Sequence, residues 1–262
     1  MKSDEGHLFS RATALRFLGG TAALLAGCGG GGASSIPATA ATAAPTATAS
    51  SAPVGTSGTC AVTPEGEIGP YFADDSLSGF NRSTIVANLD GTAVQAGVPL
   101  TLTVQVYDTQ ASCAAMSGVQ IDVWHCNAAG VYSDEASENT SSQTWLRGYQ
   151  ITGSAGTVTF TTIVPGWYAG RATHIHVRAR SKYNSASSTS DGSNTTQLFF
   201  PQALVDALST SVAPYSAHGV NSTTNASDHV YTPETKGKTE LVLSGTAGSG
   251  YVASVAIGLP IA

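Results

Sequence analysis

Between positions 100 and 107 the chain alternates strictly, with Leu100, Leu102, Val104 and Val106 interleaved by Thr101, Thr103, Gln105 and Tyr107. A period of two puts the aliphatic set on one face and predicts a half-buried strand. Similar runs near 119–126, 157–163 and 173–180 predict further strands. TELVLSG and YVASVAIGL flank the turn-rich TAGSG and read as a terminal hairpin. PQALVDALS at 201–209, with Leu204 and Leu208 four apart, is the one short helix candidate. Many strands around one core predict an all-β chain, an antiparallel β-sandwich with long loops and little helix.

The N-terminal part follows other rules. Lys2, Arg11 and Arg16 precede an apolar run, LGGTAALLAGC, so residues 1–27 read as an export signal, and the run is too short to span a bilayer. Leu25-Ala26-Gly27-Cys28 fits a lipobox, which makes Cys28 the expected lipidation site and predicts an exported bacterial cell-envelope lipoprotein held to a membrane by that anchor. Residues 28–58 are Gly, Ala, Thr, Ser and Pro with almost no bulky apolar side chain, too little to bury a core, and read as a disordered tether. Residues 59–262 are the expected catalytic domain, long enough for one β core. The whole chain carries −6, and loss of residues 1–27, with three positive and two negative charges, leaves −7, which argues against nucleic acid as a partner. Lipidated Cys28 would leave Cys60, Cys113 and Cys126, an odd number in an oxidising compartment; one pair and one free thiol follow, with Cys60–Cys113 the favoured pair.

The chemistry concentrates in PGWYAGRATHIHVRAR at 165–180. On a strand His174 and His176 project on one side and Ile175 and Val177 on the other, so two imidazoles converge. Alone, a His-x-His pair is more often structural than metal-binding. Tyr168 after a Pro-Gly turn and Tyr132 after N-A-A-G change the balance. Phenolate is a hard anionic donor suited to Fe(III), whereas a His-x-His copper site would leave both tyrosines idle.

WHCNAAGVYSD at 124–134, LRGYQ at 146–150 and PGWYAGRATHIH at 165–176 resemble the intradiol ring-cleavage dioxygenases, and TPEGEIGPYF at 63–72 and TQLFFP at 196–201 extend the likeness. The secreted single-domain branch, similar to protocatechuate 3,4-dioxygenase subunits, is the nearest pattern. The resemblance implies the β-sandwich of that family, a non-haem Fe(III) cofactor held by Tyr132, Tyr168, His174 and His176, and cleavage of a small catechol-type diol by O2 to a muconate-type diacid. It implies that Tyr168 takes a substrate proton, that Arg171 stabilises the charge that develops on the ring, and that Gln197 hydrogen-bonds within the site. Tyr71 and Trp167, with Arg171, are the implied substrate-binding residues. Ala169 and Thr173 stand where proline is expected in this branch.

His125 points away from Trp124 on any strand and reads as a hydrogen-bonded structural histidine, while His218 and His229 lie in a Ser/Asn/Thr-rich stretch and are expected to be exposed. There is no G-x-S-x-G elbow and no His-Glu-x-x-His helix. The rival to an oxygenase is a lipid-anchored binding module that retains a structural or vestigial metal site. Oligomeric state is left open.

Overall fold

The computed structural model describes residues 60–73, 78–181, 193–236 and 238–260. The expected signal (1–27), the tether (28–58) and the lipidation site Cys28 lie outside the described residues. Among the described residues nine strands form two sheets. The first contains β1 (Pro99–Asp108), β2 (Ala114–Ala115), β5 (Thr157–Ile163), β8 (Val242–Thr246) and β9 (Gly250–Leu259); the second has the order β4 (Arg147–Ile151), β3 (Gln120–Trp124), β6 (His174–Arg180), β7 (Ser193–Phe199). All pairings between these strands are antiparallel except one: β1 and β9 run parallel, from Leu100 opposite Tyr251 to Asp108 opposite Leu259. The expected antiparallel β-sandwich with little helix is the fold observed, and the single parallel pair is a detail within it, because periodicity sets which face a strand buries and leaves partner and direction open. Among the described residues helix is confined to α1 (Gln202–Ser211), α2 (Tyr215–His218) and two single 3₁₀ turns. In α1, Val205 and Leu208 are buried three apart.

The core lies between the sheets. Leu100, Leu102, Val104 and Val106 of β1 and Phe160 of β5 meet Ile121, Val123, Ile175, Val177, Ala179 and Leu198 of the second sheet, with Phe200 just after β7. Burying each large aliphatic or aromatic side chain contributes about 1.5–3 kcal/mol, so this layer fixes the second sheet as a rigid platform.

The opposite face of that platform is also covered, although its residues are polar. All seven residues of β6 and all five of β3 are buried. Their outward set, Gln120, Asp122, Trp124, His174, His176, Arg178 and Arg180, is closed to solvent, and residues 63–72 form a roof over part of it. Gly66 N donates to Thr195 O at 2.8 Å along the β7 edge, Asn194 Nδ2 donates to Thr63 O at 2.9 Å, and Phe72 meets Trp124 edge-on at 5.0 Å. At the far end of this face Arg180 Nε donates to Asp122 Oδ2 at 2.7 Å, both side chains fully buried. Burial pushes the Asp122 carboxyl up, and Arg180 and Gln120 counter it. The favoured cysteine pair is present: Cys60 and Cys113 form a disulfide that ties this roof to the loop after β1, and Cys126 is a buried free thiol.

Candidate metal centre

Three segments bring the site together. His174 and His176 stand at the start of β6 on its roofed face, where Trp124 of β3, opposite His176 in register, stacks on its ring at 4.8 Å and 10°. Tyr132 follows the turn after β3, and Tyr168 follows the Pro165-Gly166 turn after β5. These two turns are zipped together, with Gly166 N donating to Asn127 O at 3.0 Å. The approach requires glycine on both sides. A Cβ at Gly166 would sit 2.4 Å from Ala128 O, and one at Gly130, whose φ is +81°, would sit 2.0 Å from Trp167 O. The N-A-A-G and Pro-Gly turns noted in the sequence are thus one packed unit, and it sets the two phenols side by side, ring centroids 5.6 Å apart.

The four side chains expected to share a metal meet. The Nε2 atoms of His174 and His176 are 3.1 Å apart, Tyr168 Oη lies 3.3 Å from His174 Nε2, and the Tyr132 ring centroid is 6.4 Å from that of His176. His174 Nδ1–H donates to Ala172 O at 2.6 Å, which fixes the tautomer and leaves Nε2 with its lone pair toward the cluster. Burial, with the charge of Arg171 adding to it, pulls the His174 pKa down to about 3; burial and the neighbouring His174 depress His176 well below the usual range. Both rings are thereby held neutral. Burial moves the phenols the other way, Tyr168 to about 12 and Tyr132 well above 10. Tyr132 Oη is sealed from solvent and makes no hydrogen bond among the described residues.

A buried hydroxyl without a partner costs roughly 1–3 kcal/mol, and a trivalent cation removes that cost by converting it to a ligand. The donor set of two neutral imidazoles and two phenols therefore fits Fe(III). Among the described residues no three His, Cys, Asp or Glu side chains are grouped to hold a metal, so a centre here depends on the tyrosines.

Arg171 precedes β6 and does not belong to its alternation. Its buried guanidinium donates from Nε to Asp228 Oδ2 at 2.9 Å and from Nη2 to Asp228 Oδ1 at 3.3 Å and to Gln197 Oε1. Gln197, opposite His176 on β7, in turn donates from Nε2 to Glu67 O at 2.8 Å. Arg171 is thus held in a buried ion pair and is not a surface arginine. Asp228 was not found by sequence reasoning: it sits in a polar stretch next to the exposed His229, and no local pattern marks it.

The remaining candidates are placed as follows. Tyr71 stacks on Tyr132 at 4.3 Å and meets Tyr168 edge-on at 5.8 Å, so it packs directly on both phenols. Arg147, from LRGYQ, is fully buried and clamps this pair, donating from Nη1 to Tyr71 O at 2.8 Å and from Nε to Ser133 Oγ at 2.7 Å. Trp167 is half-buried; its Nε1 donates to Gly219 O at 2.8 Å and its ring lies 4.3 Å from that of His218. His218 and His229 are exposed as expected, yet both have partners: His218 Nε2 donates to Trp167 O at 2.9 Å, and His229 lies 3.2 Å from Glu67. His125 is structural, bonded to Cys126 O and to Thr162 Oγ1 at 2.8 and 2.7 Å.

Known proteins are similar to this chain in sequence and fold. A family model described as Dioxygenase matches residues 68–212, more than half of the chain and inclusive of all four candidate ligands. An intradiol ring-cleavage dioxygenase from Tetranychus urticae is similar over 78% of this chain and 96% of its own, at 25% identity and a TM-score of 0.64. The dioxygenase domain of a dioxygenase and carbohydrate-binding protein fusion from Streptomyces sp. SirexAA-E is similar over 77% of this chain and 100% of its own, at 28% identity and a TM-score of 0.53. A catechol 1,2-dioxygenase from Candida albicans is 32% identical over 101 residues, 38% of this chain and 31% of that relative, so the match spans under a third of the relative's length. The chain belongs to the intradiol ring-cleavage dioxygenase family.

Proposed function

We propose that this chain is a non-haem Fe(III) intradiol dioxygenase that opens a catechol-type diol with O2 to a muconate-type diacid. The observation that carries the reading is the convergence of Tyr132, Tyr168, His174 and His176, with Tyr132 Oη buried and unpartnered. Those four side chains would hold the ion. When bound, Fe(III) supplies a Lewis acid and a template for a chelated diol.

The protein's own groups divide the remaining work. Tyr132, wholly buried beneath Tyr71, is the fixed phenol. Tyr168 is only part-buried and lies within the field of Arg171; as the phenolate that a bound cation would stabilise, its Oη would be the base placed to take a substrate proton and become neutral phenol. Arg171, charged under all ordinary conditions, stands ready to stabilise negative charge spreading over the ring as oxygen attacks. Trp167 and Tyr71 flank Tyr168 and would form pocket wall. The purified iron-loaded protein should be red to burgundy, should change colour with anaerobic catechol, and should consume oxygen with at least one member of a panel of catechol, protocatechuate, hydroxyquinol and substituted catechols. Colourless protein that takes up no iron would instead support a binding module.

Arg171→Ala is expected to keep its iron and colour while kcat falls about 100-fold, on the scale of losing one preorganised donor to a developing oxyanion, roughly 3 kcal/mol. Stopped-flow absorbance and oxygen uptake on the same sample check this, and normal turnover would remove Arg171 from the reaction.

Export and lipidation at Cys28 complete the proposal, supported by the lipobox Leu25–Cys28. Labelled palmitate should enter the wild-type chain in a bacterial host and not Cys28→Ala.

A further inference from the structure

Arg171 is held from two directions by a segment that lies beyond the 68–212 family match. Asn221 Nδ2 donates to the Arg171 carbonyl at 2.8 Å. Asp228 accepts four hydrogen bonds: from Arg171 Nε and Nη2, from Ala172 N at 2.7 Å and from Val230 N at 2.8 Å. Its side chain is completely buried and that of Arg171 is 11% exposed. Burial works against the Asp228 carboxylate, but the guanidinium and the two amides outweigh it and hold its pKa below the usual carboxylate range.

The pattern of donors is informative. Nε and Nη2 are committed to Asp228 and Gln197, while Nη1 has no partner among the described residues and is not one of the sealed unpartnered atoms. A guanidinium is a rigid plane, so fixing two of its nitrogens fixes the direction of the third. A side-on carboxylate supplies that fixing, and the backbone amides of Ala172 and Val230 fix the carboxylate in turn. Three residues beyond Arg171, His174 enters the ligand cluster, so the same clamp sets the guanidinium's distance from the site.

We propose that Asp228 is a positioning residue: it orients Arg171 so that Nη1 is the donor presented to the substrate, and it acts on turnover through Arg171 alone. This rests on the dioxygenase reading above. The role is distinct from that of a counter-ion needed only for folding, which any carboxylate near Arg171 would satisfy.

The test is a double-mutant cycle on the iron-loaded full chain, with iron content, visible absorbance and melting temperature recorded for each variant and oxygen uptake used for kcat and KM. Asp228→Asn is expected to keep its iron and its colour and to lose about 10- to 100-fold in kcat, the range for removal of a residue that orients a functional group, with a smaller change in KM. Combined with Arg171→Ala it should cost no further kcat, because a residue that acts through another contributes nothing once that other is gone. Asp228→Glu, which keeps the charge and shifts it by one methylene, covers the case in which Asp228→Asn does not fold; it should also lose kcat while binding iron. Wild-type turnover in Asp228→Glu, wild-type kcat in Asp228→Asn, or full additivity with Arg171→Ala would each overturn the positioning role and leave the dioxygenase reading standing. An iron-loaded wild-type chain that turns over no diol would overturn that reading, and the role of Asp228 with it.

Discussion

His176→Ala is expected to yield a folded chain that retains less than a tenth of the wild-type iron, lacks the visible absorption band and consumes no oxygen with any diol. His176 is fully buried, pressed between the Trp124 indole and Gly69 of the roof segment, with Nε2 directed at His174. Its alanine replacement leaves a three-donor set, and the loss in metal affinity should exceed the 10- to 100-fold that removal of a mere outer partner costs. Iron should also raise the melting temperature of the wild-type chain, since an ion bound only by the folded state stabilises it by mass action, and that increment should vanish in the variant. Metal analysis, absorbance and thermal melts with and without added Fe(III) measure all three. Full iron occupancy with unchanged colour would place the metal elsewhere and end the proposed assignment. Tyr132→Phe provides an independent arm. It removes the sealed Oη and nothing else, so the apo chain should be as stable as wild type or slightly more so while iron is lost.

The contrast between His176 and Asp228 shows what could be read from the chain. His174 and His176 are two apart on a strand, so their convergence follows from backbone pleat alone, and the turns before Tyr132 and Tyr168 are marked by Gly130 and Gly166, whose roles the packing explains. Resemblance then joined the two turns into one site. Asp228 is 57 positions from Arg171 in a stretch without periodicity, and its value comes entirely from where α2 and the following loop return the chain. Counting thiols, with Cys28 set aside as the expected lipidation site, called for one pair and one free thiol, and the favoured pair Cys60–Cys113 is present, whereas the parallel pairing of β1 with β9 was not legible, because alternation is the same for either direction. Alternation also left one matter open. Polar residues at every second position of a strand ordinarily face water, but in HIHVRAR both faces are buried, and the roof that hides the polar one comes from residues about a hundred positions earlier.

That buried polar face carries the second large prediction. Asp122→Ala is expected to destabilise the domain by about 3–5 kcal/mol, a large part of the stability of an ordinary domain. Asp122 accepts from Arg180 Nε at 2.7 Å, with Gln120 Nε2 donating to Oδ1 at 2.8 Å, all within a face closed to solvent. The alanine variant would leave the Arg180 guanidinium deep in the protein without this carboxylate, and the part of the cation's desolvation that Asp122 offsets would be exposed. The pair itself need not be stabilising: its two ions were both removed from water, and burial alone drives the Asp122 carboxyl upward. Replacing both partners, Asp122→Leu with Arg180→Met, should therefore recover most of the loss. Urea unfolding of the single and double variants decides the point, with a loss below about 1 kcal/mol for Asp122→Ala counting against it. The argument extends to the site, since His176 and Arg180 share one face of β6. A roof loosened at Asp122 should also loosen the cover over the imidazoles, so iron retention in Asp122→Ala should fall in proportion to the unfolded fraction and return in the double variant.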